Sequence, residues 1–280
     1  MLSISPRIAH TLMLPAMLAL AACSQAQTPP GKDAAAPATA SATAAARKGE
    51  LPAVLKGIEK HGFEVVSEFD APGGLRGFAG MVGGQQPAAA YVTADGKHVL
   101  VGSLFDAEGN EVAAETLEKL VAAPMSAKMW SKLEASAWVR DGKADAPRVV
   151  YTFSDANCPY CHKFWEAARP WVDAGKVQLR HIMVGIIRED SPGKSAALFA
   201  AKDPQKALEE HEAAGKGSKL QALAKIPADI EAKLDSNMKL MDELELSATP
   251  AIFYLDDKGG LQQQQGAPSP EKLVKILGPK

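Results

Sequence analysis

The chain contains 280 residues, with 31 Lys or Arg against 33 Asp or Glu, and its formal net charge is therefore −2. This length accommodates roughly one or two domains, and the near-neutral charge balance without a basic stripe argues against a nucleic-acid-binding protein. The three cysteines are too few and too poorly spread for a scaffold stapled by several disulfides.

Residues 1–22 are predicted to be an export signal. Arg7 is the only Lys or Arg before the apolar run at residues 12–20, which is too short to span a bilayer as a stable helix. The sequence Leu-Ala-Ala-Cys23 resembles a bacterial lipobox, in which Cys23 becomes the lipidated first residue of the mature protein. Ordinary cleavage at residues 24–26 would instead remove Cys23. Both alternatives place the body of the protein outside the cytoplasm.

Residues 23–49 are predicted to be a disordered tether. Ala, Pro, Thr, Ser and Gln dominate this segment, and it lacks the large apolar side chains that a core needs. Such a tether would let a lipid-anchored body stand away from a membrane.

Residues 50–123 are predicted to form a small α+β domain. Leu51, Leu55 and Ile58 lie on one face of an amphipathic helix that ends at Gly62. Strand-like runs separated by glycine-containing turns follow at residues 63–69, 75–82, 90–93 and 97–105. A core of this size is marginal, so pairing with a second copy would help to stabilise the domain.

The pattern changes to that of a helix after Val112, with an interruption at Pro124. Residues 124–146 are predicted to be a helical linker that holds two domains at a defined separation. The linker ends at a turn-rich boundary just before Pro147.

The most informative stretch is Cys158-Pro-Tyr-Cys161, which follows a strand-like run at residues 148–153. Asp155 and Asn157 offer turn and N-cap chemistry, and Pro159 suits the first position of a helix. Cys158 is therefore expected at a helix N-terminus, where backbone N–H groups and the helix dipole lower the pKa of a thiol.

The remaining elements have the order of a thioredoxin fold, with the domain predicted over residues 147–280. A second strand is predicted at residues 177–184, followed by a helical insertion over about 191–246 with breaks at Pro204, Gly215 and Pro227. Strands at 248–255 and 261–265 and a helix after Ser269 complete the domain. The fold class is thus α/β, or α+β when the N-terminal domain is included.

Thr249-Pro250 is the second distinctive feature. A proline directly before an apolar strand cannot donate to the ladder, so it points to a special turn. In thioredoxin-like folds this proline is cis and lies beside the reactive sulfur, and the residue before it offers backbone groups to an extended peptide. Taken in isolation, a trans proline that merely opens a strand is more frequent.

Three alternatives remain open at this stage. Cys158-Pro-Tyr-Cys161-His162 also matches the attachment sequence of c-type haem, and two thiols with His162 make a poor zinc site. A holdase that binds unfolded chains without thiol chemistry is the third alternative. His162, His181, His211 and the acidic pair Glu209-Glu210 are interpreted as solvated positions without a role.

Residues 51–280 resemble the DsbC/DsbG family of periplasmic thiol:disulfide isomerases, and most closely its DsbG branch. The segments that carry the resemblance are Phe69-Asp-Ala-Pro-Gly-Gly74, Asp95-Gly-Lys-His98, Cys158-Pro-Tyr-Cys161, Ala168-Arg-Pro-Trp-Val172, Gly175-Lys-Val-Gln-Leu-Arg180 and Thr249-Pro-Ala-Ile252. The lipobox and the long tether depart from the family pattern, and they put free diffusion in the periplasm in doubt.

The resemblance implies a V-shaped homodimer joined through cystatin-like N-terminal domains, with two thioredoxin-like domains facing a substrate cleft. It implies reduction by a membrane protein of the DsbD type, and activity as an isomerase, as a reductase of sulfenylated cysteines or as a chaperone. No metal or organic cofactor is needed.

Thiol chemistry then assigns the roles. Cys158 is expected to attack a substrate disulfide or sulfenic acid, and Cys161 is expected to resolve the adduct. Pro159 and Tyr160 would tune the redox poise, while Thr249 and Pro250 would hold the substrate backbone. The direction of electron flow stays open, because oxidants and reductants share this motif.

Overall fold

The computed structural model describes residues 51–280, which form two β-sheets flanked by helices. Within this range no helix is long and apolar enough to cross a membrane. The predicted export signal, the tether at 23–49 and Cys23 lie outside the described residues.

The N-terminal part consists of one helix and a four-stranded antiparallel sheet. Its elements are α1 (Ala53–Glu59), β1 (Phe63–Asp70), β2 (Arg76–Val82), β3 (Gln86–Val92) and β4 (Val99–Val101). The strands follow the order β1-β2-β3-β4, and Leu55 of α1 is buried with Phe63 and Phe78 against the sheet. Strand β2 contains Gly77 because a Cβ there would lie 2.5 Å from the ring of Phe69 on the neighbouring strand.

The last of these strands is shorter than predicted. Strand β4 ends at Val101, whereas the predicted strand extended to residue 105. Gly102 adopts a φ of 156°, which favours glycine, and the chain beyond it forms only an isolated bridge at Phe105. Leu100 and Phe105 are consequently left largely exposed at the edge of the sheet.

The segment predicted as a linker helix over 124–146 divides into a helix and a strand. Helix α2 (Ala114–Leu117) passes through a π-helical turn at Glu118–Ala122 into α3 (Ala123–Ala135), and β5 (Trp138–Asp141) follows. The helix ends because Ser136 is extended and Asn237 binds both the N–H and the carbonyl of Ala137. The prediction of helix beyond Ala135 is therefore wrong.

The second sheet has five strands in the order β5-β7-β6-β8-β9. Its other strands are β6 (Arg148–Asp155), β7 (Val177–Val184), β8 (Ala251–Leu255) and β9 (Leu261–Gln265). Two helices pack against it, α4 (Pro159–Val172) and α8 (Pro270–Leu277). Strand β6 runs parallel to β7 and antiparallel to β8. Helices α4 and α8 pack on one face of the sheet, so β6 is buried along most of its length.

The helical insertion between β7 and β8 contains three helices, α5 (Ser191–Ala200), α6 (Pro204–Ala214) and α7 (Ala228–Glu243). The predicted breaks coincide with their ends. Pro204 begins α6, Gly215 ends it with a φ of 48°, and Pro227 directly precedes α7.

Candidate active site

Cys158 caps the N-terminus of α4. Its Sγ accepts a hydrogen bond from the backbone N–H of Cys161 at 3.2 Å, and Pro159 occupies the first helical position. The cap that was expected from Asp155 and Asn157 is thus supplied by the cysteine itself. Both cysteines are free thiols, with Cys158 only 4% and Cys161 only 2% exposed.

Asp155 holds together the loops around the cysteines. Its carboxylate is buried at the end of β6 and accepts hydrogen bonds from the N–H groups of Asn157, Ile186 and Ile187 at 2.7, 2.7 and 2.9 Å. The hydroxyl of Ser191 donates a fourth hydrogen bond at 2.8 Å. Since each donor offsets part of the penalty of burying a carboxylate, this set fixes the turn before Cys158 against residues 185–191.

The two thiols have opposite pKa shifts. The pKa of Cys158 is lowered to about 6, and the side-chain hydrogen bond from Cys161 is the largest cause. Thr249 and the backbone N–H groups of Cys161 and Tyr160 lower this pKa further, whereas burial raises it. Burial is the first cause that raises the pKa of Cys161 well above its usual value. At neutral pH Cys158 is therefore mainly thiolate, while Cys161 keeps its proton.

Thr249 and Pro250 lie beside the sulfur of Cys158, and the peptide bond between them is cis. The Cys158 thiol donates to the carbonyl oxygen of Thr249 at 3.4 Å. Within residues 51–280 the buried Thr249 hydroxyl has no hydrogen-bond partner, so it is available to donate to the thiolate once the thiol loses its proton.

Comparisons with known proteins agree with this arrangement. A thioredoxin-like domain model matches residues 139–279. The chain is 62% identical over 231 residues to the thiol:disulfide interchange protein DsbG of Pseudomonas aeruginosa, covering 82% of this chain and 90% of that protein. It is 44% identical to the Escherichia coli protein of the same name, covering 82% of this chain and 93% of that protein. The chain belongs to the DsbG family.

Membership of the DsbG family confirms the predicted fold class and the predicted class of enzyme, a thiol:disulfide oxidoreductase. Among solved structures, the catalytic domain of Proteus mirabilis ScsC has a TM-score of 0.43 and 24% identity, covering 55% of this chain and 96% of that chain.

In this DsbG-family chain, apolar side chains are exposed around the buried thiols. Tyr160 lies between the two cysteines in sequence and is 56% exposed, with the ammonium group of Lys163 5.1 Å from the centre of its ring. Ile186 and Ile187, whose N–H groups bind Asp155, are also partly exposed. These side chains leave apolar surface exposed on the segments that flank Cys158 and its supporting Asp155.

His162 is not the simple surface residue that the sequence suggested. Its Nδ1 lies 3.0 Å from the carboxylate of Glu212, which is buried on α6, and its ring stacks on Trp165. The c-type haem alternative requires this histidine and both thiols to face a porphyrin. Here the thiols are buried and the histidine binds a carboxylate.

The interpretation of His181 and His211 as solvated positions is wrong. His181 is buried in β7, with Nδ1 3.3 Å from the Ser154 hydroxyl and Nε2 3.5 Å from Asp141. His211 bridges the Ser218 hydroxyl at 2.6 Å and the carbonyl of Ala156 at 2.8 Å.

Glu209 and Glu210 differ in their exposure to solvent. Glu210 is exposed as expected, whereas Glu209 is half-buried and accepts from the side chain of Gln205 at 2.9 Å. Within residues 51–280 there is no group of three or more His, Cys, Asp or Glu side chains arranged to hold a metal ion.

Sequence reasoning missed several residues that shape the site. It assigned Asp155 only to a local turn, although the carboxylate also binds Ile186, Ile187 and Ser191. An Asp at the end of an apolar strand just before a Cys pair could have suggested a buried acceptor. Nothing in the sequence around Glu212 points to its pairing with His162, because 50 residues separate the two.

Proposed function

We propose that this chain catalyses thiol:disulfide exchange outside the cytoplasm, as a disulfide isomerase, as a reductase of sulfenylated protein cysteines, or as both. One observation carries the proposal: the Cys158 sulfur caps α4 beside the cis Thr249-Pro250 bond, with its pKa lowered to about 6. A thiolate in this position is a nucleophile at neutral pH.

In the first step, the Cys158 thiolate attacks one sulfur of a substrate disulfide. The substrate S–S bond breaks, a mixed disulfide forms, and the other substrate sulfur leaves as a thiolate. With a sulfenic acid, the same attack breaks the S–O bond, and the oxygen leaves as water after taking up a proton. Hydrogen bonds from the N–H groups of Tyr160 and Cys161 support the thiolate before attack.

The second step determines the outcome. If another substrate thiolate attacks the mixed disulfide, Cys158 is released unchanged and the substrate is isomerised without net electron transfer. If Cys161 loses its proton and attacks the Cys158 sulfur, the substrate leaves reduced and the two cysteines form a disulfide. Burial, the first cause that raises the pKa of Cys161, slows this second route and leaves time for isomerisation.

Four further residues take supporting roles in this proposal. Pro159 and Tyr160 tune the redox poise by changing how well the thiolate is stabilised. Thr249 and Pro250 hold an extended segment of substrate, and the buried Thr249 hydroxyl donates to the Cys158 thiolate.

A homodimer joined through residues 50–123 is part of the proposal. Strand β4 is at the edge of its sheet and exposes Leu100 and Val101, and Phe105 beyond it is also exposed. An unpaired edge with exposed apolar side chains supports pairing with a second copy. The reductant in this proposal is a membrane protein of the DsbD type.

The proposed location is the periplasm, reached through an export signal at residues 1–22. Lipidation of Cys23, with residues 23–49 as a tether, would anchor the protein to the outer membrane. Mass spectrometry of the mature N-terminus tests this point, because a lipidated Cys23 and a polypeptide starting after it have different masses.

The experiment that tests the function measures the redox state of Cys158 and Cys161 in living cells. Acid quenching and alkylation with a bulky reagent separate the reduced and oxidised forms on a gel. A mostly reduced pair supports an isomerase or reductase, since a reductant must maintain it. A mostly oxidised pair contradicts this direction and indicates a donor of disulfides.

Two measurements address the alternatives. A Soret band in the purified protein would establish a c-type haem protein instead. A holdase without thiol chemistry predicts full activity in cells for the Cys158→Ser, Cys161→Ser double variant, whereas the proposal predicts its loss.

A further inference from the structure

A cavity of about 490 Å³ opens directly beside Cys158, between the start of α4 and the helical insertion. Four of its lining residues are basic: Lys163, Arg188, Lys194 and Lys216. We call this cavity the basic groove. Glu212 is the acidic side chain in the lining.

The charges of the basic groove are only partly neutralised. Lys194 binds Asp190 at 2.9 Å, and Glu212 is occupied by His162 at 3.0 Å. Within residues 51–280 the structure records no ion pair for the other three basic side chains, Lys163, Arg188 and Lys216, and all three are exposed.

The basic groove contrasts with the charge of the whole chain. Acidic residues exceed basic ones by 33 to 31 over the full sequence, so an excess of cations at one place is not a property of the surface in general. A concave surface lined by one sign of charge concentrates its field and attracts ligands of the opposite charge.

The backbone that carries these cations is held in place. The N–H of Arg188 donates to the Ser191 hydroxyl at 3.0 Å, and that hydroxyl binds the buried Asp155. Lys216 lies in a 3-10 turn, Gly215–Gly217, next to Ser218, whose hydroxyl binds His211. The two sides of the basic groove are thus fixed to the same framework that positions Cys158.

We propose that the basic groove binds acidic side chains next to the reactive cysteine of a protein substrate, and so makes the enzyme selective for disulfides in acidic segments. This inference rests on the proposed exchange function. The cations offset the repulsion between the Cys158 thiolate and an acidic substrate, and they favour its encounter over that of a basic one.

The test compares three peptides that differ only in the charge beside one cysteine, with two Glu, two Gln or two Lys residues on each side. The cysteine of each peptide carries a pyridine-2-thiol group in disulfide linkage. Attack of the Cys158 thiolate on the peptide sulfur forms the mixed disulfide and expels pyridine-2-thiolate, which absorbs as the thione. Cys161 then loses its proton, attacks the Cys158 sulfur and releases the peptide thiolate.

Stopped-flow absorbance gives the second-order rate constant for each peptide at low ionic strength. Each rate constant is divided by the rate constant for the reaction of the same peptide with 2-mercaptoethanol, a neutral thiol. This division corrects for differences in the intrinsic reactivity of the three peptides. The Glu peptide is expected to react at least about tenfold faster than the Lys peptide. This ratio should shrink towards one as salt screens the groove.

The decisive variant reverses two of the unpaired charges, Arg188→Glu with Lys216→Glu. Neither residue belongs to the thiol machinery, so the Gln peptide should react at a nearly unchanged rate. The preference for the Glu peptide should disappear or invert. The control carries Lys225→Glu with Lys239→Glu, two exposed lysines outside the lining that give the same net charge. Thermal unfolding confirms that both variants fold.

The outcomes separate the inference from the proposed function. Equal corrected rates for the Glu and Lys peptides, with rapid exchange on all three, overturn the inference and leave the function intact. An equal loss of preference in the control variant also overturns it, because the effect then comes from net charge. No exchange with any peptide overturns the proposed function and the inference together.

Discussion

The two ends of α4 are both anchored by a buried carboxylate, but the two carboxylates are satisfied in different ways. At the N-terminal end, Asp155 accepts hydrogen bonds from uncharged donors only: three backbone N–H groups and one hydroxyl. At the other end, Asp141 of β5 binds the guanidinium of Arg169 through both carboxylate oxygens and approaches His181.

The carboxylate of Asp155 positions the loops around Cys158, whereas the carboxylate of Asp141 stabilises the attachment of α4 to the sheet. Asp155 orients loops around the sulfur of Cys158 through uncharged donors. The hydrogen bond from Cys161 is the first cause that lowers the thiol pKa. Burial opposes ionisation of Asp141, yet its interactions with His181 and Arg169 lower its pKa overall. One end of the helix therefore supports chemistry, and the other end attaches the helix to the sheet.

The largest expected effect is at the reactive end. Cys158→Ser is expected to reduce exchange to the uncatalysed background, because the serine hydroxyl does not ionise near neutral pH. Below pH 6, where the Cys158 thiol is protonated, the free energy of unfolding should change little, since the side chains have nearly the same size. Stopped-flow exchange with the neutral peptide measures the first quantity and urea unfolding the second.

Cys161→Ser is the matched control. It is expected to keep the first attack and to accumulate the mixed disulfide, which mass spectrometry detects. Equal loss of the first step in both variants would contradict the assignment of Cys158 as the attacking thiol.

At the opposite end, Asp141→Asn is expected to lower the free energy of unfolding by about 3 kcal/mol, because it leaves the partly buried Arg169 without its main partner. The pH at which Cys158 is half-ionised should stay near 6. Urea unfolding and the pH dependence of alkylation give the two values.

Asp173→Asn supplies the comparison within the same ion-pair group. Asp173 also contacts Arg169, at 3.5 Å, but its side chain is 68% exposed. Its loss should change the free energy of unfolding by less than about 1 kcal/mol.

The lowered pKa of Asp141 predicts how its contribution to the stability depends on pH. This contribution is present at neutral pH and is lost as pH falls through the folded pKa, below 3.8.

Asp155→Asn is expected to lower the free energy of unfolding, measured by urea unfolding, by about 2 kcal/mol. The reason is that the amide nitrogen faces N–H groups that need an acceptor. Hydrogen exchange at Ile186 and Ile187 should accelerate more than exchange in the N-terminal sheet. Asp190→Asn, an exposed change in the adjoining segment, should have a smaller effect on both measurements. Unchanged exchange at both amides would contradict the role given to Asp155.

The smallest expected effect concerns the Thr249 hydroxyl. Thr249→Val removes a donor to the Cys158 thiolate at almost constant volume, so the pKa of Cys158 should rise above its value of about 6. Iodoacetamide alkylation rates as a function of pH give this pKa directly. Thr249→Ser keeps the donor and should retain a midpoint near 6.

The same pKa has a consequence for the stability of the reduced protein. Because the folded pKa is depressed, the contribution of Cys158 is fully present above 9.0, the ordinary value for the thiol, and is lost as pH falls through about 6. Stability relative to Cys158→Ser should therefore rise with pH between these limits. A flat difference would contradict the lowered pKa.

Much of the fold followed from local patterns. The strand before Cys158, the proline at the start of α4 and the breaks at Pro204 and Gly215 are features of neighbouring residues, and each lies where it was predicted. The end of α3 could not be found in this way, because Ala137 is held by Asn237 from a helix 100 residues away.

The features of the site likewise fall into those that depend on neighbouring residues and those that depend on distant contacts. The sequence by itself determined that Cys158 lies at a helix N-terminus, that Cys161 lies one turn further and that Thr249-Pro250 opens a strand, since turn chemistry and periodicity act over a few residues. Tertiary structure alone decided that Asp155 holds residues 186–191, that Glu212 binds His162 and that Arg188 and Lys216 share one groove. These contacts join segments far apart in the chain, and only the packing of the insertion onto the sheet brings them together.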